Sequence, residues 1–215
     1  MSPNREDYIK IIFNQNEKKE KLNNKKLASY LGVSPASTSE MVRKLIDSGH
    51  VDRDRTMGLM LTTKGRKEAE ALVQKHRLWE VFLVEHLGYS WTEVHDDAEI
   101  LEHGTSEKLA ARLNEFLNYP KACPHGEIIY GNAQEKDDQT KSMSKLISNE
   151  KAVFRRVRDT GELLEYLEAI DFEIGDQFVV KEILPYDGQI IIDKEGKELY
   201  ITRQAAEDIY VEVIE

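Results

Sequence analysis

The spacing of apolar residues predicts helices over most of the first half of the chain. Apolar side chains recur at helical spacing in "REDYIKIIFNQ" (residues 5–15) and again in "KKLASYL" (residues 25–31). Gly32 directly follows the second segment and suits the C-terminal cap of a helix. The two segments therefore predict a pair of helices at the start of the chain.

A third helix and a strand pair complete the first predicted domain. Ser34 can cap this helix with Pro35 in its first turn, and the helix should run to about Ser48. The following "HVDRDRTMGLMLTTKG" predicts two short strands around a turn at Met57-Gly58. Helix, helix, turn, helix and hairpin is the order of a winged helix-turn-helix, whose third helix enters the major groove of DNA.

The exposed face of this third helix favours DNA binding. The segment "SPASTSEMVRK" is rich in short hydroxyl side chains and in residue types that read bases. Arg53 and Arg55 of the hairpin are placed for contacts with phosphates. The alternative is a small helical domain that has the same caps and binds no DNA.

Residues from Thr63 to about Asn118 predict further helices, with a break near "LGYSW" (87–91). Their apolar residues are too numerous for the buried face of a single monomer. Such a surplus commonly forms a subunit interface, and a dimer would match a two-fold symmetric operator. We therefore expect a homodimer.

The last part of the chain changes to strand patterns. Residues 118–132 predict a loop, and short apolar strands separated by glycine turns follow from about Ala152. These strands suggest a small barrel of the SH3 kind, so the fold class is mainly α with small β units. The predicted organisation is a winged helix-turn-helix (1–65), a helical dimerisation domain (66–132), a polar linker (133–151) and an SH3-like domain (152–215).

Charge is distributed unevenly over these domains. The 215 residues carry a net charge of −10, yet residues 1–65 hold 12 Lys and Arg against 8 Asp and Glu. The remainder holds 18 basic residues against 32 acidic ones. A basic head on an acidic body suits a polyanion-binding module joined to a cation-binding one.

Composition also bounds the cellular setting. The single cysteine, Cys123, cannot form an internal disulfide, which fits a reducing cytoplasm. The N-terminal segment lacks the apolar core of a signal peptide, and no apolar run approaches the length that spans a bilayer. We therefore expect a cytoplasmic protein with no membrane partner.

The segment "HDDAEILEH" (95–103) is the first candidate for metal chemistry. Glu99, Glu102 and His103 stand at i, i+3 and i+4 and so share one helix face. Carboxylates packed this closely repel one another unless water or a cation intervenes. Oxygen ligands with one imidazole suit Mn²⁺ or Fe²⁺, although a further ligand from elsewhere would be needed. The alternative is a solvated acidic face.

A second candidate begins with His76 and Glu80 in "HRLWE". Their i, i+4 spacing on a helix can hold one ion, although such a pair is more often an ordinary surface contact. Cys123 in "CPHG" is either a metal ligand or a buried or free thiol. We find no Gly-rich phosphate loop, no HExxH and no nucleophile with a spaced base, so we expect neither an enzyme nor a small-molecule substrate.

The order of these motifs resembles the diphtheria toxin repressor family of metal-dependent transcription regulators. The winged helix-turn-helix, "HRLWE", "VHDDAEILEH", "CPHG" and the SH3-like (FeoA-like) tail follow one another as in its three-domain, manganese-responsive members. The resemblance implies a regulatory metal held between the first helix and the acidic helix. Its implied ligands are Asp7 (from "EDY"), Glu99, Glu102 and His103.

The resemblance also implies an ancillary ion that joins the "HRLWE" helix to the "CPHG" loop and the SH3-like domain. A thiolate and imidazoles could hold zinc there as readily as manganese. The matching positions are Glu80, Cys123, His125 and Asp159, with His76, His95 and Glu162 as further candidates.

Two comparisons within the family bear on which metal binds. The iron-sensing branch has Met and Cys where Asp7 and Glu99 stand, and replacing sulfur by carboxylate should favour manganese. Some manganese regulators pair two ions by using a Glu one turn after the Asp. Lys10 stands at that position and cannot ligate while charged, so we expect a single ion at this site. Fe²⁺, Zn²⁺ or Cd²⁺ could occupy the same ligands in vitro.

The recognition helix of the family maps onto residues 34–44. Its implied contacts with base edges are Ser34, Pro35, Ala36, Ser37 and Glu40. Arg43 and Lys44 would serve phosphates or structure.

Together these features predict a Mn²⁺-activated homodimeric repressor that binds double-stranded operator DNA. From the resemblance, the regulated genes would encode manganese uptake. Three alternatives stay open: Fe²⁺ or another divalent ion as the signal, a metal-independent dimeric regulator with a structural acidic helix, and a metallohydrolase tethered to DNA.

Overall fold

The computed structural model describes residues 4–134, 139–158, 160–186 and 188–214. The chain divides into two compact units, Met1–His76 with Ile100–Ser106 and Arg77–Glu99 with Glu107–Glu215. Within the described ranges, no helix combines the length and the apolar character that crossing a bilayer requires.

Three helices open the first unit as predicted. Helix α1 (Arg5–Glu17) is followed by α2 (Asn24–Leu31), which ends at Gly32 in the left-handed conformation with φ of 62°. Helix α3 (Pro35–Asp47) begins where the Ser34 side chain accepts a hydrogen bond from the Ser37 backbone N–H at 3.1 Å. The local capping residues therefore fix the helix ends.

A two-stranded hairpin and a small core complete this module. Strands β1 (Val51–Asp54) and β2 (Gly58–Leu61) pair antiparallel, with Val51 opposite Leu61. Fully buried apolar side chains come from all three helices, the hairpin and the segment before α2. They are Ile9, Ile12, Leu22, Leu27, Val42, Leu45, Val51 and Leu59. The predicted winged helix-turn-helix is confirmed.

Three further helices follow, interrupted as the sequence predicts. They are α4 (Thr63–Leu87), α5 (Val94–Gly104) and α6 (Glu107–Phe116). In the second unit, residues of α4 and α6 share a core with Cys123 and Ile129. Leu87, Leu109 and Phe116 remain exposed, which agrees with the apolar surplus noted in the sequence.

The C-terminal part of the chain is a six-stranded antiparallel sheet with two helices. In space the strand order is β3-β8-β4-β5-β6-β7. The strands are β3 (Lys141–Ser142), β4 (Lys151–Val157), β5 (Gln177–Ile183), β6 (Ile190–Lys194), β7 (Lys197–Ile201) and β8 (Ile209–Ile214). The predicted SH3-like fold class is confirmed, whereas helices α7 (Gly161–Ala169) and α8 (Arg203–Asp208) were not predicted.

The linker expected over residues 133–151 is wrong from Lys141 onward. There β3 pairs with β8, with Lys141 opposite Val211. Met143 and Leu146 are buried in the same core as Phe154. Because these two buried apolar residues lie in a mostly polar stretch, composition alone indicated a linker. Residues 135–138 lie outside the described ranges.

Candidate metal centres and DNA-binding surface

The first candidate centre lies where the start of α1 meets the end of α5. Nε2 of His103 lies 2.9 Å from Oδ1 of Asp7, and Nδ1 lies 2.6 Å from Oε2 of Glu6. Burial opposes a charge on the ring, but the Glu6 hydrogen bond and the charges of Glu102 and Asp7 outweigh it and raise the pKa of His103. The structure thus brings together Asp7 and His103, two of the predicted ligands.

The fold of α1 itself positions Asp7. The backbone N–H of Asn4 donates to Oδ2 of Asp7 at 2.5 Å, and the Asn4 side chain accepts from the backbone N–H groups of Glu6 and Asp7. This capping box uses one carboxylate oxygen of Asp7 and leaves Oδ1 turned toward His103. The same residue can therefore cap the helix and offer a ligand oxygen.

Glu102, a third predicted ligand, is fully buried and contacts the side chains of Lys10 and His76. The Nζ of Lys10 lies 2.9 Å from Oε1 and 2.7 Å from Oε2 of Glu102. Nδ1 of His76 lies 2.6 Å from Oε2. A buried carboxylate is costly unless it is paired and hydrogen-bonded, and Lys10 and His76 meet that need. His76, which the sequence suggests for the second site, thus lies against a predicted ligand of the first.

Glu99 stands one helical turn before Glu102 and His103 on α5 and is half-buried. The predicted common face of this helix therefore exists. Carboxylate oxygens with imidazole nitrogens form the donor set that hard divalent ions such as Mn²⁺ prefer, so the residues fit such an ion.

The second candidate centre is enclosed. Glu80, Cys123 and His125 are 1%, 7% and 0% exposed, and each offers a ligand atom within 4.8 Å of the other two. Nδ1 of His125 lies 3.3 Å from Oε1 of Glu80 and 3.9 Å from Sγ of Cys123. On the other side of the ring, Nε2 donates to the backbone carbonyl of Trp91 at 2.8 Å, since a carbonyl oxygen can only accept. Nδ1 is therefore the nitrogen available to an ion.

Burial governs protonation in this group. It raises the pKa of the Cys123 thiol to about 11, and the Glu80 charge adds to the rise. Burial also opposes a charged His125, but hydrogen bonds with Cys123 and Glu80 outweigh it and raise the pKa of His125 to about 11. A sulfur, a nitrogen and an oxygen ligand fit zinc or manganese, and binding would have to displace these protons.

Close packing of the "CPHG" loop fixes this geometry. Gly126 has φ of +78°, and a Cβ there would lie 2.1 Å from the carbonyl oxygen of Arg155 in β4. The backbone N–H of Val157 donates to the carbonyl of His125 at 2.9 Å. Arg156 lies 2.9 Å from Glu127, which also pairs with Arg77 of α4. Backbone contacts thus hold the loop against the C-terminal sheet.

The remaining residues predicted for the second site differ in whether the structure places them near Glu80. His95 offers a ligand atom within 4.8 Å of one on Glu80. Glu162 is exposed in the first turn of α7 and, within the described ranges, is not in the Glu80 group, so the structure does not support it as a ligand. Asp159 lies outside the described residues.

All nine residues predicted to contact DNA are exposed. The inward face of α3 buries Thr38, Val42 and Leu45 instead. Glu40 and Lys44 form an ion pair of 2.8 Å one helical turn apart. The exposed set is Ser34, Pro35, Ala36, Ser37, Glu40, Arg43 and Lys44 on or beside α3, with Arg53 and Arg55 in and after β1.

Sequence reasoning missed several contacts at these centres. Glu6 contacts His103 from a position next to Asp7, and its place in "EDY" was the available signal. The contact of His76 with Glu102 and the carbonyl of Trp91 at His125 left no local signal, since both depend on tertiary packing.

Comparisons with known proteins agree with this arrangement. Residues 1–59 match the family "Iron dependent repressor, N-terminal DNA binding domain", and residues 62–131 match "Iron dependent repressor, metal binding and dimerisation domain". Residues 141–213 match the "FeoA domain".

Individual relatives and solved structures agree with these matches. It is 38% identical over 120 residues to the HTH-type transcriptional regulator MntR of Oceanobacillus iheyensis, an alignment that spans 56% of this chain and 81% of the relative. The solved structure of the manganese regulator SloR is 40% identical, with all of both chains covered and a TM-score of 0.84. A manganese-dependent transcriptional repressor in complex with manganese is 33% identical, with 98% of this chain and 100% of the other covered and a TM-score of 0.90. The chain belongs to the diphtheria toxin repressor (DtxR/MntR) family of metal-dependent transcription regulators.

Proposed function

We propose that this chain is a manganese-activated transcriptional repressor that binds double-stranded operator DNA as a homodimer. One observation carries the proposal: Asp7, in the DNA-binding domain, lies 2.9 Å from His103, in the metal-binding and dimerisation domain. A regulatory ligand must interact differently with two conformations of its protein. A site built from both domains meets that condition.

The residues of this centre would respond to the ion through their charge. A bound Mn²⁺ supplies a double positive charge and accepts oxygen and nitrogen ligands. Asp7, Glu99, Glu102 and His103 would hold it. In its absence, Lys10 offsets only part of the carboxylate charge of α1 and α5, and the remaining repulsion favours separation of the two helices. Their approach would fix the angle at which each α3 is presented to DNA.

Lys10 supports a single ion at this centre. Its ammonium group already lies against both oxygens of the buried Glu102. A second divalent ion beside it would meet a fixed positive charge at close range. We therefore place one regulatory ion per chain here.

The second centre would bind an ancillary ion through Glu80, Cys123 and His125, with Asp159, outside the described residues, as the fourth ligand. Because its ligands come from α4, the "CPHG" loop and the approach to α7, an ion there would stiffen the second unit. Binding of this ion would not depend on the position of α1, since none of its proposed ligands lies in the DNA-binding domain. We expect it to assist rather than to trigger DNA binding.

DNA binding would place α3 in the major groove. Ser34, Pro35, Ala36, Ser37 and Glu40 would face base edges, and Arg53 and Arg55 would contact phosphates. Two such heads on a homodimer would bind a two-fold symmetric operator. We place the protein in the cytoplasm and infer that its target genes encode metal uptake, because repression by the imported ion would close a feedback loop.

The metal signal is tested with DNA that the protein itself selects. Duplexes are selected from a random pool by the full chain with Mn²⁺, and the best is labelled for fluorescence anisotropy. We expect Mn²⁺ to raise affinity at least about tenfold, a coupling of about 1.4 kcal/mol. Titration with Fe²⁺ under anaerobic conditions and with Zn²⁺ or Cd²⁺ gives the order of effectiveness. Equal binding with and without Mn²⁺ would overturn the proposal, and a larger effect of Fe²⁺ would make iron the signal.

A further inference from the structure

His103 is contacted by carboxylates on both of its ring nitrogens. Two consecutive residues at the start of α1 provide them: Glu6 reaches Nδ1 at 2.6 Å and Asp7 reaches Nε2 at 2.9 Å. Oε1 of Glu102 also lies on the Nε2 side, at 3.6 Å. The two sides of the ring therefore differ, because only the Nε2 side gathers residues proposed as metal ligands.

A single ion can bind only one of these nitrogens, since their lone pairs point away from each other in the ring plane. Nε2 faces Asp7 and Glu102, so it is the nitrogen that an ion shared with those carboxylates would take. Nδ1 must then carry the proton and donate it. The Nδ2 of Asn4 lies 3.4 Å from Nδ1 but is itself a donor, which leaves Glu6 as the acceptor.

We propose that Glu6 is a positioning residue for the regulatory metal. Its carboxylate accepts the Nδ1–H of His103, which fixes the tautomer and the ring orientation and makes Nε2 a better ligand. This inference rests on the proposed function of His103 as a ligand. Glu6 is not itself a ligand in this arrangement, because it lies on the side of the ring that points away from Asp7.

The local structure of α1 makes this assignment rigid. The backbone N–H of Glu6 donates to Oδ1 of Asn4 at 2.6 Å, and Asp7 closes the same capping box. Both carboxylates lie in the first helical turn, where the helix dipole favours negative charge. Formation of the α1 N-terminus therefore sets both contacts with His103 together.

The test measures Mn²⁺ binding to the full chain by the electron paramagnetic resonance signal of the free ion. The variants are Glu6→Ala, Glu6→Gln and the control Glu17→Ala, which removes a carboxylate of similar exposure from the other end of α1. We expect Glu6→Ala to weaken Mn²⁺ binding about 10- to 100-fold with unchanged stoichiometry. Glu6→Gln should recover part of the loss, since its amide oxygen still accepts the Nδ1–H, and Glu17→Ala should bind like the wild type.

Three results would overturn the inference: wild-type affinity in Glu6→Ala, no recovery in Glu6→Gln, or the loss of one bound ion in Glu6→Ala, which would make Glu6 a ligand. A parallel His103→Ala variant tests the proposed function separately. If it binds as much Mn²⁺ as the wild type, the proposed site fails whatever Glu6 does. The apo melting temperatures of all variants are recorded so that misfolded protein is recognised, and Glu6→Gln, which keeps the shape of the side chain, keeps the test decisive.

Discussion

The two candidate metal centres differ in composition, burial and connection to the rest of the chain. The first combines Asp7 and His103, each about one-fifth exposed, with the buried Glu102, and its donors are mainly oxygen. The second encloses Glu80, Cys123 and His125, and includes a thiol. Only the first includes a residue of the DNA-binding domain. A centre that joins two domains can act as a switch, whereas an enclosed centre in one unit can only stabilise it.

The protonation of the two centres differs as well. In the first, the ammonium group of Lys10 offsets the buried carboxylate of Glu102. In the second, Cys123 and His125 each hold a proton, because the pKa of each is raised to about 11. Metal binding at the second centre must therefore release protons, which makes the second centre the more pH-dependent of the two.

The largest expected effect is complete loss of the Mn²⁺ response in Asp7→Ala or Glu99→Ala. Each change removes a proposed ligand of the centre that links α1 to α5. The measurement is anisotropy of the selected operator with and without Mn²⁺, and Asp96→Ala, an exposed acidic residue of α5, serves as the control. A normal Mn²⁺ response in both ligand variants would show that the switch lies elsewhere.

The second effect is a steep pH dependence of metal binding at the Cys123 centre. Because the pKa values of Cys123 and His125 are both raised to about 11, the two groups hold their protons at neutral pH, and a rise in pH favours the ligating forms. Loss of two protons on binding should raise the apparent Zn²⁺ affinity up to about 100-fold per pH unit. Calorimetric titrations at several pH values measure this change, and titrations in buffers of different ionisation enthalpy count the protons released. Cys123→Ala should halve the proton release. A pH-independent affinity would contradict these protonation states.

A smaller effect is expected for Cys123→Ala on DNA binding. This variant removes one ligand of the ancillary centre and leaves the first centre intact. Mn²⁺-dependent operator affinity should fall by no more than about fivefold. If the loss exceeds that of Asp7→Ala, the ranking of the two centres is reversed.

The smallest change concerns the number of ions at the first centre. Lys10→Glu replaces the internal cation beside Glu102 by a carboxylate and should allow one further Mn²⁺ per chain, counted by metal analysis after equilibrium dialysis. Its apo form should melt at a lower temperature, because two carboxylates then meet in a buried place, and Mn²⁺ should reverse the loss. Lys10→Met, which removes the charge without adding a ligand, should bind no extra ion. An extra ion in Lys10→Met would show that a ligand at position 10 is not required.

The sequence predicts those elements whose determining contacts lie within a few residues, and it does not predict those that depend on contacts between distant segments. Helices α2 and α3 were predicted because Gly32, Ser34 and Pro35 fix their adjacent ends through contacts within a few residues, and α1 was predicted from the helical spacing of its apolar side chains. The start of the C-terminal domain was missed because Met143 and Leu146 become core residues only once β3 pairs with β8, a strand far along the chain.

The candidate centres follow the same rule. The common face of Glu99, Glu102 and His103 follows from helical spacing alone, and Asp7 joined them only through resemblance to a family. The contact of Glu6 with His103 joins positions 97 residues apart, and that of Lys10 with Glu102 joins positions 92 apart. Spacing within one element cannot indicate such pairs, since tertiary packing creates them.

Anomalous diffraction from crystals grown with Mn²⁺ tests the central claim most directly. Data collected on both sides of the manganese absorption edge distinguish manganese from other ions. We expect a peak bonded to Asp7 of α1 and to Nε2 of His103 of α5, with Glu6 on the opposite side of the imidazole. A peak held by residues of α5 alone, or no peak beside Asp7, would contradict the claim that the ion joins the DNA-binding domain to the dimerisation domain.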